Sequence, residues 1–213
     1  MAIEKKMNKG ERMDFPPTTA DSGPYSIGDS RKFTKRESNQ FLEQKSGSRI
    51  RNVTPAHVDK TNRNYIWLRY KIGEVSNMLT GGLDVLSGKF SGCYMIKFKL
   101  PGEGWRVGHV DTGEKGGAAG VTAWNKLVTD HNPEIACGFK PFQAQFTGDF
   151  ATTTATYGII LADGHKCYSV VAENSTMWNS QKGEDTNIRR ILKVTERDTI
   201  PVNDLRVLTL MND

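Results

Sequence analysis

The chain has 213 residues, of which a quarter are charged and 37% hydrophobic, and its mean hydropathy is −0.53. That length suits one domain of ordinary size with a tail, or two very small ones. No window reaches the roughly 18 consecutive apolar residues of a membrane span, and the opening MAIEKKMNKGERMDF has no apolar region of the kind a secretory signal carries. Cys93, Cys137 and Cys167 lie 44 and 30 residues apart. An odd number at wide spacing suits a reducing compartment, not a disulfide framework. Without C-x-x-C or a paired His/Cys spacing no structural metal is expected, and no cofactor motif is present.

The net charge of +5 is confined to the N-terminal third. Residues 1–63 hold 13 Lys+Arg against 8 Asp+Glu, whereas 64–213 hold 16 of each. The basic residues alternate with acids and carry no aromatic ladder, so solvation is the simpler reading than nucleic-acid binding. Residues 1–62 are rich in Ser, Thr, Asn, Gly and Pro. PPTTADSGPYSIGDS is turn-forming, and RESNQFLEQKSG offers one short helix. Too little apolar surface is present to offset ordering entropy. A flexible basic leader is therefore expected over 1–62, suited to export or to a secretion chaperone, with the folded domain at 63–213.

From Tyr65 the pattern changes. In YIWLRYKIGEVSNMLTGGLDVL, Ile72, Val75 and Leu79 fall at helical spacing before Gly81-Gly82, which predicts a helix over 64–79. YMIKFKL (94–100) alternates apolar residues with Lys97 and Lys99, and WRVGHVD (105–111) follows the turn Pro101–Gly104, so the two form a β-hairpin. GEKGGAAG (113–120) reads as a small-residue loop without a phosphate-loop arrangement. TAWNKLVTDH (122–131) predicts a helix capped by Thr122. YGIIL, KCYSVVA, ILKV and LRVLTL are short β-rich runs, the first two joined through ADGHK, while 113–120 and 174–187 read as loops. The expected fold class is α+β: a mainly antiparallel sheet or sandwich flanked by two or three helices.

The residues able to carry chemistry centre on Ser87-Gly-Lys-Phe-Ser-Gly-Cys93 and His109. Ser91-Gly92 permits a sharp turn, whose backbone N–H groups could hold an oxyanion and depress the Cys93 pKa. His109 on the neighbouring strand is the candidate base, and Asp111, on the same face, is the candidate to orient it. Cys137, Cys167 and the other histidines (His57, His131 and His165) read as structural or solvated. A four-residue loop at 101–104 would set Ile96 opposite His109. Cys93 would then lie three residues, roughly 10 Å, beyond that point, and a bend at Ser91-Gly92 would be needed to close the gap.

Ser87-x-x-Phe90-Ser91-Gly92-Cys93, the short hairpin and His109-Val110-Asp111 resemble the active-site segment of the cytotoxic necrotizing factor-like glutamine deamidases, the superfamily of Burkholderia lethal factor and CheD. The resemblance covers residues 87–111. Phe90 stands where that family has leucine, and Ser87 where it has threonine six residues before the cysteine. It implies a bacterial toxin or effector that is made in the bacterial cytoplasm and acts in the reducing cytosol of a target cell. Cys93 would be its nucleophile, His109 its base and Ser87 a supporting hydroxyl, with Gly92, Ser91 and Asp111 around them. The implied reaction converts a glutamine of a target protein to glutamate without metal or cofactor, or transamidates it. A cysteine peptidase using the same pair, and a non-enzymatic binding or immunity-type module, are the alternatives.

Overall fold

Asn64–Arg69 is a strand (β3) because Tyr65, Ile66, Trp67 and Leu68 are buried on both of its faces. Tyr65 and Trp67 pack to one side, Ile66 and Leu68 to the other, the period-two alternation that a sheet covered on both faces needs. A computed structural model describes residues 3–10, 12–16, 20–26, 64–113, 115–142, 154–179 and 184–210. The helix expected over 64–79 is instead two strands, β3 and β4 (Val75–Leu79). Gly73, at φ +73°, turns the chain between them. Ile72 and Leu79, which made the helical spacing, are 61% and 47% exposed.

The remaining strands, in chain order, are β1 (Arg12–Asp14), β2 (Gly23–Ser26), β5 (Val85–Phe90), β6 (Tyr94–Lys99), β7 (Trp105–Val110), β8 (Glu134–Phe139), β9 (Thr154–Ile160), β10 (Cys167–Asn179) and β11 (Glu184–Arg197). Among the described residues they form a seven-stranded sheet, β1-β11-β10-β9-β5-β3-β2, and a four-stranded sheet, β4-β7-β6-β8. Every pairing is antiparallel except β3 with β5. Two helices, α1 (Gly117–His131) and α2 (Val202–Arg206), complete an α+β fold.

Three apolar clusters define the layers. Ile66, Leu68, Val85, Ile160 and Cys167 of the large sheet meet Cys93, Met95, Val107, Cys137 and Phe139 of the small one. The other face of the small sheet packs Ile96, Phe98 and Val110 against Val121, Trp124 and Leu205 of the helices. The outer face of the large sheet is covered by Ile3, Met7 and Phe15. Each is at most 2% exposed, and burying such a side chain stabilises by roughly 2 kcal/mol.

This covering revises the picture of a leader that is flexible throughout. β1 pairs with β11, β2 pairs with β3, and the Ile3 amide donates to Asp84 at 2.9 Å. The helix expected from RESNQFLEQKSG lies outside the described residues.

Three further expectations are corrected. α1 begins at Gly117, with Thr122 inside it, donating its hydroxyl to Ala118 O at 2.7 Å instead of capping the helix. LRVLTL is not a strand; Leu205 belongs to α2 and lies buried under the Trp124 indole, whose Nε1–H donates to Leu205 O at 2.7 Å. The supposed loop 174–187 is largely strand, since β10 and β11 pair out to Asn179 opposite Glu184. The ADGHK turn does join β9 to β10, with Gly164 and His165 both at positive φ. No helix among the described residues is long and apolar enough to cross a membrane.

Candidate active site

The β6–β7 register decides which side chains meet. Lys99 pairs with Trp105, so the loop holds five residues, Leu100–Gly104, and Met95, not Ile96, lies opposite His109. Cys93 is two residues from Met95 and therefore on the same sheet face. It lies one residue before β6, whose ladder with β7 ends at Tyr94 opposite Val110, and its thiol reaches Asp111, the residue after Val110. The bend expected at Ser91-Gly92 is present, where the chain leaves β5 of the large sheet and enters β6 of the small one. Gly92 has no positive φ, and the space a Cβ would occupy there is open.

Ser87 reaches the site from the other sheet. It sits on the inward face of β5, fully buried, and its hydroxyl donates to Leu68 O at 2.7 Å. A carbonyl can only accept, so the single hydroxyl proton is committed there. The contact between Ser87 Oγ and His109 Nδ1 at 2.8 Å then requires Nδ1 to carry the proton and Oγ to accept it. That leaves Nε2 as a bare lone pair, and this buried atom has no partner. Phe90 stacks on the imidazole with centroids 4.0 Å apart and planes within 9°, and Tyr70 lies tilted at 4.9 Å. His109 is 1% exposed. Burial lowers its pKa to about 3, against a smaller opposing pull from the Asp111 charge.

Cys93 is 3% exposed, and its thiol donates to Asp111 Oδ1 at 3.5 Å. Burial pushes its pKa up to about 11, and the Asp111 carboxylate adds to the rise. The Thr112 and Gly113 amides beside the sulfur work in the opposite direction. A depressed thiol pKa was expected from the sequence, and the environment here does the reverse.

Asp111 does not orient the imidazole. Its Oδ2 accepts from Gly73 N–H at 2.7 Å and its Oδ1 from Gly113 N–H at 2.8 Å, and the Tyr70 hydroxyl also bonds it. The Asp111 charge together with burial raises the Tyr70 pKa. Nor does the Ser91-Gly92 turn supply the amides nearest the sulfur. Ser91 is exposed, Gly92 O accepts from the Thr112 hydroxyl at 2.8 Å, and the neighbouring donors belong to Thr112 and Gly113.

Of the three residues the resemblance singles out, Ser87 and His109 are in direct contact between the two sheets, and Cys93 lies in the same inter-sheet layer with its thiol on Asp111, which serves the thiol and not the base. At neutral pH both thiol and imidazole are uncharged. The two shifts run in opposite directions, and in each burial favours the neutral form.

Sequence reasoning missed Tyr70, Thr112 and the glycine cradle behind Asp111. A Cβ on Gly120 would strike the Asp111 carbonyl, and one on Gly116 the Asp111 carboxylate. The Gly116/Gly120 spacing of four was a legible sign of close helix approach, whereas nothing in the sequence marked Tyr70. Among the remaining candidates, Cys137 and Cys167 are buried. His131 closes α1, His165 lies beside Trp105 at 5.4 Å, and His57 is outside the described residues. Among the described residues no three His, Cys, Asp or Glu side chains converge as a metal set. No protein-family model, curated protein or solved structure matches this chain.

Proposed function

We propose that this protein is a cysteine-dependent protein glutamine deamidase of the toxin or effector type, with Cys93 as nucleophile, His109 as base and Ser87 as the residue that positions it. One observation carries the reading. The hydroxyl six residues before the cysteine holds Nδ1 of the histidine sixteen residues after it, at 2.8 Å, and leaves Nε2 free as a base.

In the proposed reaction the Cys93 sulfur attacks the carboxamide carbon while Nε2 takes the thiol proton. The tetrahedral oxyanion is held by backbone amides near the sulfur, those of Thr112 and Gly113 being the closest donors. Nε2 then protonates the leaving ammonia and a thioester remains. Water, deprotonated by Nε2, attacks the thioester carbon, glutamate departs and the proton returns to sulfur. An amine in place of water would give transamidation by the same route. The proposed partner is a target protein in a recipient cell. An export chaperone on residues 1–62 would compete with the packing of Ile3, Met7 and Phe15.

The test is ammonia release from casein and from a glutamine-containing peptide library, with mass spectrometry for a gain of about 1 Da per site. Dansylcadaverine incorporation reports transamidation. Activity that vanishes in Cys93→Ala and His109→Gln but survives in Cys137→Ala supports the proposal. Cleaved chains in place of ammonia would indicate a peptidase instead. The burial of Cys93 and His109 favours a second reading, a non-enzymatic binding module in which Ser87 and His109 form a satisfied core contact. Under it, no amide substrate is turned over and Cys93→Ala changes only stability.

A further inference from the structure

We propose that Cys137 and Cys167 are a second thiol site, which closes an inter-sheet disulfide independently of Cys93. Cys137 lies on β8 of the small sheet and Cys167 at the start of β10 of the large one. Both side chains enter the apolar layer between the sheets, 2% and 0% exposed. Cys137 stands opposite Lys97 in the β6–β8 ladder, and the Lys97 ammonium reaches Leu161 O and Ala162 O beside Ile160, the β9 partner of Cys167, so the two thiols enter the layer at the same place; the Cys167 thiol donates to His165 O at 3.8 Å.

A cation sits beside them. Lys97 is the direct cross-strand partner of Cys137 in the β6–β8 ladder and is 1% exposed. Its ammonium donates to Leu161 O at 3.1 Å and Ala162 O at 2.6 Å, in the turn that leads to Cys167. Burial lowers the Lys97 pKa, and Cys137 leads the charges that oppose this, followed by Asp163 and Asp84; the Trp105 ring also lies 5.6 Å from the ammonium. Lys97 and the Cys167 thiol both favour the Cys137 thiolate, and the Cys167 pKa is pushed up in turn. In the proposed exchange Cys137 attacks and Cys167 resolves, because the Lys97 ammonium stands directly across the ladder from Cys137.

Access follows from topology. β8 is an edge strand of the small sheet, held by β6 with an irregularity between Lys97 and Phe98. Opening of that edge exposes Cys137 without dismantling the large sheet. The oxidant is a low-molecular-weight disulfide such as oxidised glutathione. The Cys137 thiolate attacks one of its sulfurs, the S–S bond breaks, and one glutathione thiolate leaves. As β8 closes, the Cys167 sulfur attacks Cys137 Sγ and expels the second glutathione. The two departing thiolates take up the two cysteine protons. The protein pair is oxidised by two electrons, and the reagent is reduced to two thiols.

The experiment incubates the folded full-length protein over a series of glutathione disulfide/thiol ratios, quenches with iodoacetamide and maps a non-reduced digest by mass spectrometry. The expected result is a linked pair of peptides containing Cys137 and Cys167, a chain lighter by about 2 Da before alkylation, and Cys93 recovered as the alkylated thiol. The same linkage forms in Cys93→Ala. Separate alkylation or glutathionylation of Cys137 and Cys167 at the most oxidising ratio would overturn the proposal. So would a bridge that includes Cys93, or a linkage that disappears in Cys93→Ala. These outcomes do not depend on whether the protein deamidates glutamine.

Discussion

Lowering the pH should unfold this protein through His109 in a calculable way. The imidazole is held neutral in the fold, with a pKa of about 3, whereas in the unfolded chain it titrates near 6.5. For a base whose folded pKa is depressed, the unfolded state binds the proton first. The contribution is therefore fully present above pH ~6.5 and is lost progressively as the pH falls towards 3. Integrating the linkage relation between those values gives a loss of about 2 kcal/mol between pH 7 and 5, and about 3 kcal/mol by pH 4. Other carboxylates and histidines titrate over the same range, so the variant to compare is His109→Gln, which keeps a polar group of similar size without a titrating proton. Urea unfolding of both proteins at pH 7, 6, 5 and 4 isolates the term, because the shared background cancels in the difference. The wild type should lose about 2 kcal/mol more than the variant by pH 5. Parallel curves would refute the argument, and with it the claim that Nε2 is sealed from water behind Phe90 and Tyr70.

Three other outcomes are expected. Asp111→Asn removes the negative charge that raises the Cys93 pKa, so iodoacetamide should alkylate Cys93 faster at pH 8 than in wild type. If Asp111 served the histidine instead, the rate would fall or stay unchanged. Phe90→Ala strips the stacked ring from His109 and should cost ~3–5 kcal/mol in denaturant unfolding, while raising Cys93 alkylation in the protein that stays folded. Gly120→Ala would drive a methyl group into the Asp111 backbone carbonyl and should destabilise by roughly 3 kcal/mol. Thermal unfolding at fixed pH checks it, with exposed Ala119→Gly, costing about 1 kcal/mol, as the helix control.

Spacing along the chain already determined much of this protein. The alternation in YMIKFKL and WRVGHVD specified two strands and their hairpin, because a period of two follows from the backbone alone. Gly164 in ADGHK marked the next hairpin for an equally local reason, the positive φ that its turn requires. Ser87, Cys93 and His109 could be singled out as a set only through the resemblance of residues 87–111 to a known family, and not shown to touch. Register, burial and charge environment were settled only by tertiary structure. One extra loop residue moved His109 from opposite Ile96 to opposite Met95. Ile72, Val75 and Leu79 share helical spacing, but Val75–Leu79 pairs with β7 as a strand and Ile72 falls in the turn before it, since sheet hydrogen bonds outweigh a weak local preference. Ile3, Met7 and Phe15 look isolated in a polar leader until the outer face of the large sheet offers them a surface. The thiol and imidazole pKa values depend on desolvation and on Asp111, Thr112 and Gly113 arriving from elsewhere in the fold. Local periodicity is written residue by residue. The partner a side chain meets across a sheet or between two layers is decided by the whole chain at once.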